Sequence, residues 1–583
     1  MLNQTLVQEV VLDNKIVERA ALPEMIRKAE AAQTPLEQYL IDQHLTTEAD
    51  LHQAIAKKLN LPFIDLEQNV IDPAAVQLIP ENVAQKHHLV GFAKDDAVLK
   101  IATTNPEDLQ TLEFIRRTTG LEIALHYTTP SSLHNALTVY HQDIRAEFQD
   151  LAKTVSHIDL SASGQPESSE QNQLKKLASE LPIIKIVDTL LQYAIIEGAS
   201  DIHIEPTEQE VIVRYRIDGI LQDAMNLPLD TRDGIIARIK VLSNLKIDEK
   251  RLPQDGRFKI LEKGEKISFR VSALPVYDGE KVVLRLLHEG SQAIGLEKLG
   301  WQPEALEVVQ RNIKKPHGLI LVTGPTGSGK TTTLYTIVQQ LNTAKVNICT
   351  IEDPIEYRMP RINQSQVNPK IGFSFAAGLR ALLRQDPDII MVGEIRDEET
   401  AEIAINAAMT GHLVLSTLHT NDAATTLPRL ADMQVPAFLI ASTTNIVIAQ
   451  RLVRKICSKC ITTYTLDAQA IAELKKQFAI EEMFADLQRS GRITADQTIE
   501  KMNFSKGQGC AHCHNSGYKG RIGIYEVLEI TPAISALILQ NAGKDAINAV
   551  AREHGMVTIL EDGFMKVQQG ITTIEEVLRV TKE

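Results

Sequence analysis

The sequence predicts an α/β protein whose C-terminal half alternates helices and strands, preceded by a small α+β domain and a mixed N-terminal region. From about residue 291, apolar strand patterns alternate with helical ones, as in a parallel sheet with crossover helices. Before it, the amphipathic helix IIKIVDTLLQYAIIEGAS leads into EVIVRYRIDGIL, KISFRVSALPV and KVVLRLL, which alternate like antiparallel strands. A short glycine-rich segment stands between a buried strand and a helix in the later region.

Length and composition limit the possible classes of protein. A chain of 583 residues is long enough for about three or four domains. Its 44% hydrophobic and 23% charged content is typical of a soluble globular protein, and its net charge of −14 disfavours general binding to nucleic acid. We see neither an apolar run of membrane-spanning length nor the start of a signal peptide. We therefore expect a cytoplasmic protein whose contact with a membrane would come through a partner.

The first part of the chain has the pattern of a docking or regulatory module. Apolar residues recur there at near-helical intervals, and VLKIATTNPEDLQTLEFI predicts a strand, a turn and a helix. Residues 161–173 contain no large apolar side chain and are rich in Ser, Gln and Glu, a composition typical of a flexible linker. We therefore expect domains at 1–150, 176–290 and 291–583, with a linker at 151–175.

The glycine-rich segment matches GxxxxGK[ST], between the buried strand LILVT and the helix TTTLYTIVQQL. Its glycines allow backbone N–H groups to surround phosphate oxygens, while Lys330 supplies a cation and Thr331 a hydroxyl for Mg²⁺. A chance match in a glycine loop is the alternative, but the strand and helix context favours a nucleotide site. The candidate nucleotide-binding residues are Gly324, Pro325, Thr326, Gly327, Ser328, Gly329, Lys330, Thr331 and Thr332.

Acids and histidines follow the later strands. Glu394 comes directly after the apolar run Ile389–Val392 and Gly393, which is where a carboxylate can serve Mg²⁺ and its water. Glu352 ends the strand pattern of CTIEDPIEY. The acids of this segment have two interpretations: they hold metal or activate water, or they cap a turn. His412 and His419 flank another strand; a histidine is more often packed than catalytic, but His419 stands where it could sense a γ-phosphate.

These motifs together resemble a known family. TIEDPIEY, LRQDPDIIMVGEIRD, TGHLVLSTLHTND and AQRLVRKIC are similar to segments of the secretion-superfamily ATPases of the GspE/PilB type, as are the upstream SDIHIEP, YRIDG and RLPQDGR. Members of this family power type IV pilus assembly and type II secretion. The resemblance implies a RecA-like ATPase domain behind a PAS-like domain, a ring of six chains, and ATP held between the two domains.

The resemblance also implies roles for particular residues. Glu394 matches the Walker B glutamate, which with Thr331 would hold Mg²⁺; Glu352 matches the aspartate-box glutamate, and His412 and His419 the histidine box. Arginines of the second domain reach the γ-phosphate in this family. The candidates here are Arg214, Arg216 and Arg232, each of which could instead be a solvated charge on a strand or loop.

Four cysteines form two CxxC pairs, Cys457 with Cys460 and Cys510 with Cys513. Two such pairs can close a tetrahedral thiolate shell around a structural Zn²⁺. Redox chemistry is the competing interpretation, although neither pair has a thioredoxin-like setting. The insertion at 457–513 resembles that of the assembly enzymes of the family, and retraction ATPases generally lack it. We therefore favour a pilus assembly ATPase, with a type II secretion ATPase as the alternative.

The N-terminal region resembles modules that bind cyclic di-GMP in some pilus ATPases, but it lacks their ligand-binding start. Pro35 and Glu37 stand where Arg and Gly would be, so the stacking and close backbone approach are absent. We expect no cyclic di-GMP binding, and docking to a cytoplasmic adaptor of a membrane complex instead. The predicted activity is a homo-hexameric, Mg²⁺-dependent ATP hydrolase that acts on an inner-membrane platform protein. A non-hydrolysing nucleotide-binding scaffold and a nucleic-acid motor are the other hypotheses.

Overall fold

The computed structural model describes two compact units. Residues 1–166 with 180–193 form the first, and residues 167–179 with 194–583 form the second. The described residues run from 4 to 581, except for 15, 18, 20, 32–34, 43–44, 67–68, 70, 96, 138–173, 175–176, 263–264, 290–294, 478–479, 490 and 495–497. The linker predicted at 151–175 therefore falls almost wholly outside the described residues, and the domain boundaries remain predictions.

The first unit combines a helical part with a small three-stranded sheet. The apolar residues that recur around residue 40 form two helices, which bury Leu36, Leu40, Leu51 and Ile55; Leu45 lies between the helices and is exposed. In the sheet, β1 (Leu89–Asp95) pairs antiparallel with β2 (Val98–Thr103), which pairs parallel with β3 (Glu122–Tyr127). The helices are α1 Gln4–Asp13, α2 Leu22–Ala31, α3 Leu36–Asp42, α4 Glu48–Lys58, α5 Pro73–Gln77, α6 Glu81–Lys86, α7 Leu109–Thr119 and α8 Pro130–Leu137. Helix α9, Leu181–Ile196, begins in this unit and ends in the second.

The second unit begins with a six-stranded antiparallel sheet in the order β6-β5-β4-β9-β8-β7. Apolar side chains alternate along these strands and are buried on one face of the sheet. They include Ile202, Val213, Phe269 and Leu284. Helix α10, Arg232–Leu242, lies between β6 and β7 in the chain. The strands are β4 Asp201–Pro206, β5 Glu210–Ile217, β6 Ile220–Pro228, β7 Gln254–Glu262, β8 Glu265–Val276 and β9 Gly279–Glu289.

The rest of the second unit surrounds a seven-stranded sheet in the order β12-β11-β13-β14-β10-β15-β18, in which only the edge strand β18 is antiparallel. Because the other six strands are parallel, the segments that follow their carboxyl ends meet at one edge of the sheet. The central strands are buried on both faces, as their continuous apolar runs predict. The strands are β10 Gly318–Thr323, β11 Ile348–Glu352, β12 Ile362–Gln366, β13 Ile389–Val392, β14 Leu413–Leu418, β15 Thr444–Ile456 and β18 Tyr518–Glu529.

Helices cover this sheet, and a separate two-stranded sheet pairs β16 (Ile461–Tyr464) antiparallel with β17 (Phe504–Gly507). The helices are α11 Pro303–Asn312, α12 Lys330–Leu341, α13 Phe375–Leu382, α14 Glu398–Met409, α15 Ala423–Asp432, α16 Ala437–Thr443, α17 Ala468–Gln477, α18 Ile480–Arg489, α19 Pro532–Leu539, α20 Lys544–Glu553, α21 Ile559–Gln568 and α22 Ile574–Thr581. The predicted α/β class, with a RecA-like parallel sheet behind a PAS-like antiparallel one, is confirmed.

Candidate active site and candidate zinc centre

The glycine loop connects β10 to α12, as the sequence predicts. The ammonium group of Lys330, the first residue of α12, donates to the carbonyl oxygens of Gly324 at 2.7 Å and Pro325 at 3.1 Å. Burial is the main cause that lowers the pKa of Lys330 to about 8; the Glu394 carboxylate opposes this shift and Arg451 adds to it. Lys330 is thus a partly desolvated cation at the start of a helix, where the helix dipole also favours an anion.

Two glycines of the loop hold conformations and contacts that a side chain would disrupt. Gly324 has φ 145°, and a Cβ atom there would lie 2.5 Å from the Gln450 carbonyl oxygen. Gly329 has φ 89° and caps α12. The backbone of the loop therefore packs directly against β15. Thr331 and Thr332 are exposed on the first turn of α12.

The loop also has a buried partner that the sequence analysis did not identify. Gln450 of β15 donates from Nε2 to the Ser328 carbonyl oxygen at 2.7 Å and accepts at Oε1 from the Thr333 hydroxyl at 2.8 Å. The next residue, Arg451, is also buried and donates to the Asn421 carbonyl oxygen at 3.1 Å. AQRLVRKIC marks this segment in the sequence, but the contacts depend on strand pairing between β10 and β15.

The ends of β13 and β14 bring Glu394 and His419 together. Glu394 Oε2 lies 3.4 Å from His419 Nε2, and Glu394 Oε1 lies 2.6 Å from Arg396 Nη2. Only 12% of the Glu394 side chain is exposed, against 51% for His419. The loop beyond His419 is anchored to β10, because the Thr420 N–H donates to the Thr323 hydroxyl at 2.8 Å. Lys330, Glu394 and His419 thus share the carboxyl edge of the sheet.

Glu352 ends β11 in a buried polar network. Its carboxylate accepts hydrogen bonds from the hydroxyl groups of Tyr335 and Thr350 and, at 3.2 Å, from the Gln364 amide. Glu352 is 3% exposed, and this burial raises its pKa, although the three hydrogen bonds oppose the shift. A carboxylate with a raised pKa is a better proton acceptor near neutral pH. Tyr335, on α12, therefore links the helix of the glycine loop to this acid.

An arginine of the antiparallel sheet contacts the acidic segment that follows Glu352. The sequence did not predict this contact. Arg270 Nη2 of β8 lies 3.3 Å from Glu356 Oε2, and the Glu356 N–H donates to the Tyr335 hydroxyl at 3.2 Å. Because Arg270 and Glu356 are far apart in sequence, only the packing of the two sheets brings them together.

The three predicted arginines pair with groups of the antiparallel-sheet part itself. Arg214 Nη2 lies 2.6 Å from Glu205 Oε2, and Arg216 Nε lies 3.4 Å from Asp201 Oδ2. Arg232 donates to the Asp233 carboxylate at 2.8 Å and to the Asp278 carbonyl oxygen at 2.9 Å. These pairs position the three side chains within this part of the unit.

His412 lies at the opposite end of β14 from His419. Its Nδ1 donates to the Ala407 carbonyl oxygen at 2.9 Å, near the C-terminus of α14. Because the strand separates the two histidines, the structure brings only His419 to the edge that holds Lys330 and Glu394.

The four cysteines of the two CxxC pairs converge. Their sulfur atoms all lie within 4.8 Å of one another, and Cys457–Cys510 and Cys460–Cys513 are each separated by 3.8 Å. A tetrahedral Zn²⁺ with four sulfur ligands at about 2.3 Å places those sulfurs about 3.8 Å apart. The residues present therefore fit a zinc ion with a closed shell.

Backbone groups surround Cys513 in a way that favours a thiolate. Burial alone would raise the pKa of its thiol, but the N–H groups of Cys510 and Gly517 donate to its sulfur at 3.2 and 3.3 Å and lower the pKa to about 7.

Residues that follow the cysteine cluster contact the antiparallel-sheet part of the unit. His514 Nε2 lies 2.9 Å from Glu197 Oε2, and the Gly520 N–H donates to Asp218 at 2.8 Å.

A glycine loop with a helix-start lysine, beside an acid that follows another parallel strand of the same sheet, defines the class of P-loop ATPases. The sequence model of the family described as Type II/IV secretion system protein matches residues 176–579. The chain belongs to this family, which confirms the resemblance to secretion-superfamily ATPases. A model of the MshEN domain matches residues 59–147.

Full-length relatives support the same assignment. The type IV pilus assembly ATPase PilB of Acinetobacter baylyi is 40% identical over 567 residues, which cover 96% of this chain and 94% of the relative. PilB of Pseudomonas aeruginosa is 38% identical and covers 100% of this chain and 98% of its own length. The type II secretion system ATPase E of Vibrio cholerae is 39% identical, over 89% of this chain and 100% of its own length.

Proposed function

We propose that this protein is the motor ATPase of type IV pilus assembly, and that it hydrolyses ATP to drive pilin polymerisation. The observation that carries the proposal is the convergence of Lys330, Glu394 and His419 at one sheet edge. It occurs in a chain that aligns along nearly its whole length with relatives named pilus assembly ATPases. The direct test is ATP turnover by the purified full-length chain, and absence of turnover with Mg²⁺ present would contradict it.

The loop residues Gly324 to Thr332 would bind the phosphates through backbone N–H groups and the Lys330 ammonium. Thr331 and Glu394 are the candidate Mg²⁺ ligands, the hydroxyl directly and the carboxylate directly or through water. Mg²⁺ bound there would neutralise charge on the phosphates. We propose that His419, which is exposed beside Glu394, senses the γ-phosphate, because an imidazole can donate to a phosphate oxygen.

Two acids are candidates for orienting and deprotonating the attacking water. Glu352 has the raised pKa of a proton acceptor, but Tyr335, Thr350 and Gln364 occupy its oxygens. Glu394 shares its carboxylate between Arg396 and His419. We propose that Glu394 acts at the phosphates and that Glu352 couples α12 to the neighbouring acidic segment through Tyr335.

Arginines of the antiparallel sheet would supply positive charge to the γ-phosphate. Arg214, Arg216 and Arg232 remain the proposed residues, and each would have to exchange a protein partner for phosphate. An arginine delivered from a moving domain makes closure depend on nucleotide, and hydrolysis then releases it. The hypothesis expects a lower kcat in Arg214→Gln, Arg216→Gln and Arg232→Gln; unchanged kcat in all three would refute it.

The proposed assembly is a cytoplasmic homo-hexamer that acts on an inner-membrane platform protein. Among the described residues, every helix is too short or too polar to cross a bilayer, so this membrane contact would need a partner. The N-terminal unit is the proposed docking site for an adaptor. The MshEN match covers residues 59–147 and so begins beyond Pro35 and Glu37. We propose that the chain does not bind cyclic di-GMP. Calorimetry with that nucleotide tests this proposal.

A type II secretion ATPase is the second candidate function. The type II secretion system ATPase E of Vibrio cholerae and the type II secretion system protein E of Pseudomonas aeruginosa are 39% and 41% identical to this chain, as similar as the pilus proteins. The two functions share their chemistry and differ in the client. Deletion of the gene in its own host separates them, because loss of surface pili supports the first and loss of protein secretion supports the second.

A further inference from the structure

Gln450 sits between the glycine loop and the helix that follows it. It is 1% exposed, on the strand next to β10. Its side-chain nitrogen is 2.7 Å from the Ser328 carbonyl oxygen and its side-chain oxygen 2.8 Å from the Thr333 hydroxyl. One side chain thus contacts both the Ser328–Gly329 peptide of the loop and the first turn of α12.

The orientation of this amide follows from its partners. A backbone carbonyl only accepts hydrogen bonds, so the amide NH₂ of Gln450 must face Ser328. Its carbonyl oxygen then faces Thr333, whose hydroxyl can donate. A flipped amide would place two oxygens against each other at Ser328, and the contacts therefore determine the assignment.

The contact with Ser328 sets the direction of the next N–H group. In a trans peptide the C=O of one residue and the N–H of the next point in opposite directions. Because the Ser328 carbonyl is directed toward β15, the Gly329 N–H points away from that strand. A Cβ atom on Gly329 would lie 3.2 Å from Gln450 Nε2, so the side of Gly329 that faces β15 is already filled.

We propose that Gln450 is a positioning residue for nucleotide binding: it holds the Ser328–Gly329 peptide so that its N–H, and not its carbonyl, faces the phosphates. A carbonyl oxygen turned toward a phosphate would repel it, and the loop would lose a donor as well. Thr333 supports this role because its hydroxyl fixes the amide in the required orientation. The inference rests on the proposed nucleotide site and assigns to it a residue outside the glycine motif.

The experiment compares Gln450→Met and Thr333→Val with the parent chain and with Thr444→Val. Methionine has a similar length and removes both hydrogen bonds, while valine at 333 removes the hydroxyl that orients the amide and that also contacts the Tyr525 hydroxyl. Thr444 is the buried first residue of β15, and its hydroxyl has no hydrogen-bond partner among the residues that the structure describes, so it provides a matched control. The measurements are the Kd for Mg–ADP, the KM and kcat for ATP, and the melting temperature.

We expect Gln450→Met to raise the Kd for Mg–ADP and the KM for ATP about tenfold, while Thr333→Val raises them about threefold. In both variants kcat at saturating ATP should stay within about twofold of the parent, because an affinity defect is overcome at high substrate. Thr444→Val should match the parent. An unchanged Kd in a folded Gln450→Met or Thr333→Val chain would overturn the proposal, as would a fall in kcat without a change in KM. Failure of the parent chain to bind Mg–ADP would contradict the proposed nucleotide site. Equal binding by the parent and the variants would contradict only the role of Gln450.

Discussion

His419 lies with its Nε2 atom 3.4 Å from the Glu394 carboxylate, at the ends of neighbouring parallel strands. The acid therefore has an imidazole on one side and the Arg396 guanidinium on the other. This arrangement holds Glu394 in one orientation at the edge that also carries Lys330.

Replacement of Glu394 by glutamine should separate binding from turnover. The amide keeps the size of the side chain but loses the charge and the basicity that the proposed metal and water contacts need. We expect kcat for ATP to fall at least about a hundredfold while ADP still binds. Steady-state kinetics and ADP calorimetry on the same sample check this. Glu399→Gln, on the exposed first turn of α14, is a suitable control because it removes only a surface ion pair with Arg380.

Removal of the Tyr335 hydroxyl should destabilise the fold through Glu352. In Tyr335→Phe the buried carboxylate loses one of its three donors and the Glu356 N–H loses its acceptor, and a loss of this kind costs about 1–3 kcal/mol. Chemical denaturation measures the free energy of unfolding. Tyr357→Phe, on the ring that packs edge-on against Tyr335, is the comparison. Equal stability of Tyr335→Phe and the parent would show that this hydrogen bond is not needed to satisfy Glu352.

The cysteine cluster should contain about one zinc ion per chain. Because a fourth thiolate closes the shell, Cys510→Ser should release the metal and lower the melting temperature. Cys349→Ser changes the remaining buried cysteine, which lies outside the cluster, and should retain zinc. Elemental analysis of the purified proteins provides the measurement. Iron in place of zinc, or a disulfide between the pairs, would contradict the assignment.

Glu526 should make stability depend on pH. Burial raises its pKa to about 7, and its carboxylate accepts from the Ala423 N–H at 2.8 Å. Between about pH 4.5 and 7 the folded chain then binds more protons at this site than the unfolded chain, so its contribution to stability falls as pH rises. Glu526→Gln should remove this part of the slope in melting temperature against pH.

Glu529, on the same strand, gives the opposite control. Burial opposes the shift, but hydrogen bonds from Arg311 and Asn312 hold its pKa below the usual value. Its contribution to stability is therefore present above about pH 4.5 and is lost as the pH falls through its folded-state pKa. Glu529→Gln should lower the melting temperature at neutral pH. Identical pH slopes in Glu526→Gln and the parent would contradict the account of Glu526.

The sequence predicted the parts of the site that local pattern determines. Short stretches of chain determine the glycine loop, Lys330 and the strand that leads to Glu394. The two CxxC pairs predicted a cluster of four cysteines regardless of the length of the loop between the pairs. Gln450 and Arg270 were missed because their roles depend on partners distant in sequence. The predicted pair of histidines separates for a related reason: a six-residue strand places its two ends at opposite edges of the sheet.

The central claim is that this chain couples ATP hydrolysis to work through the glycine loop, and Lys330→Ala tests it most directly. Without the ammonium group, the charge on the β- and γ-phosphates loses its main counter-cation from the loop. ATP turnover by parent and variant should be measured with Mg²⁺ on protein whose folding is verified by circular dichroism. We predict turnover in the parent and its abolition in a folded Lys330→Ala chain; near-normal turnover in that variant would contradict the account.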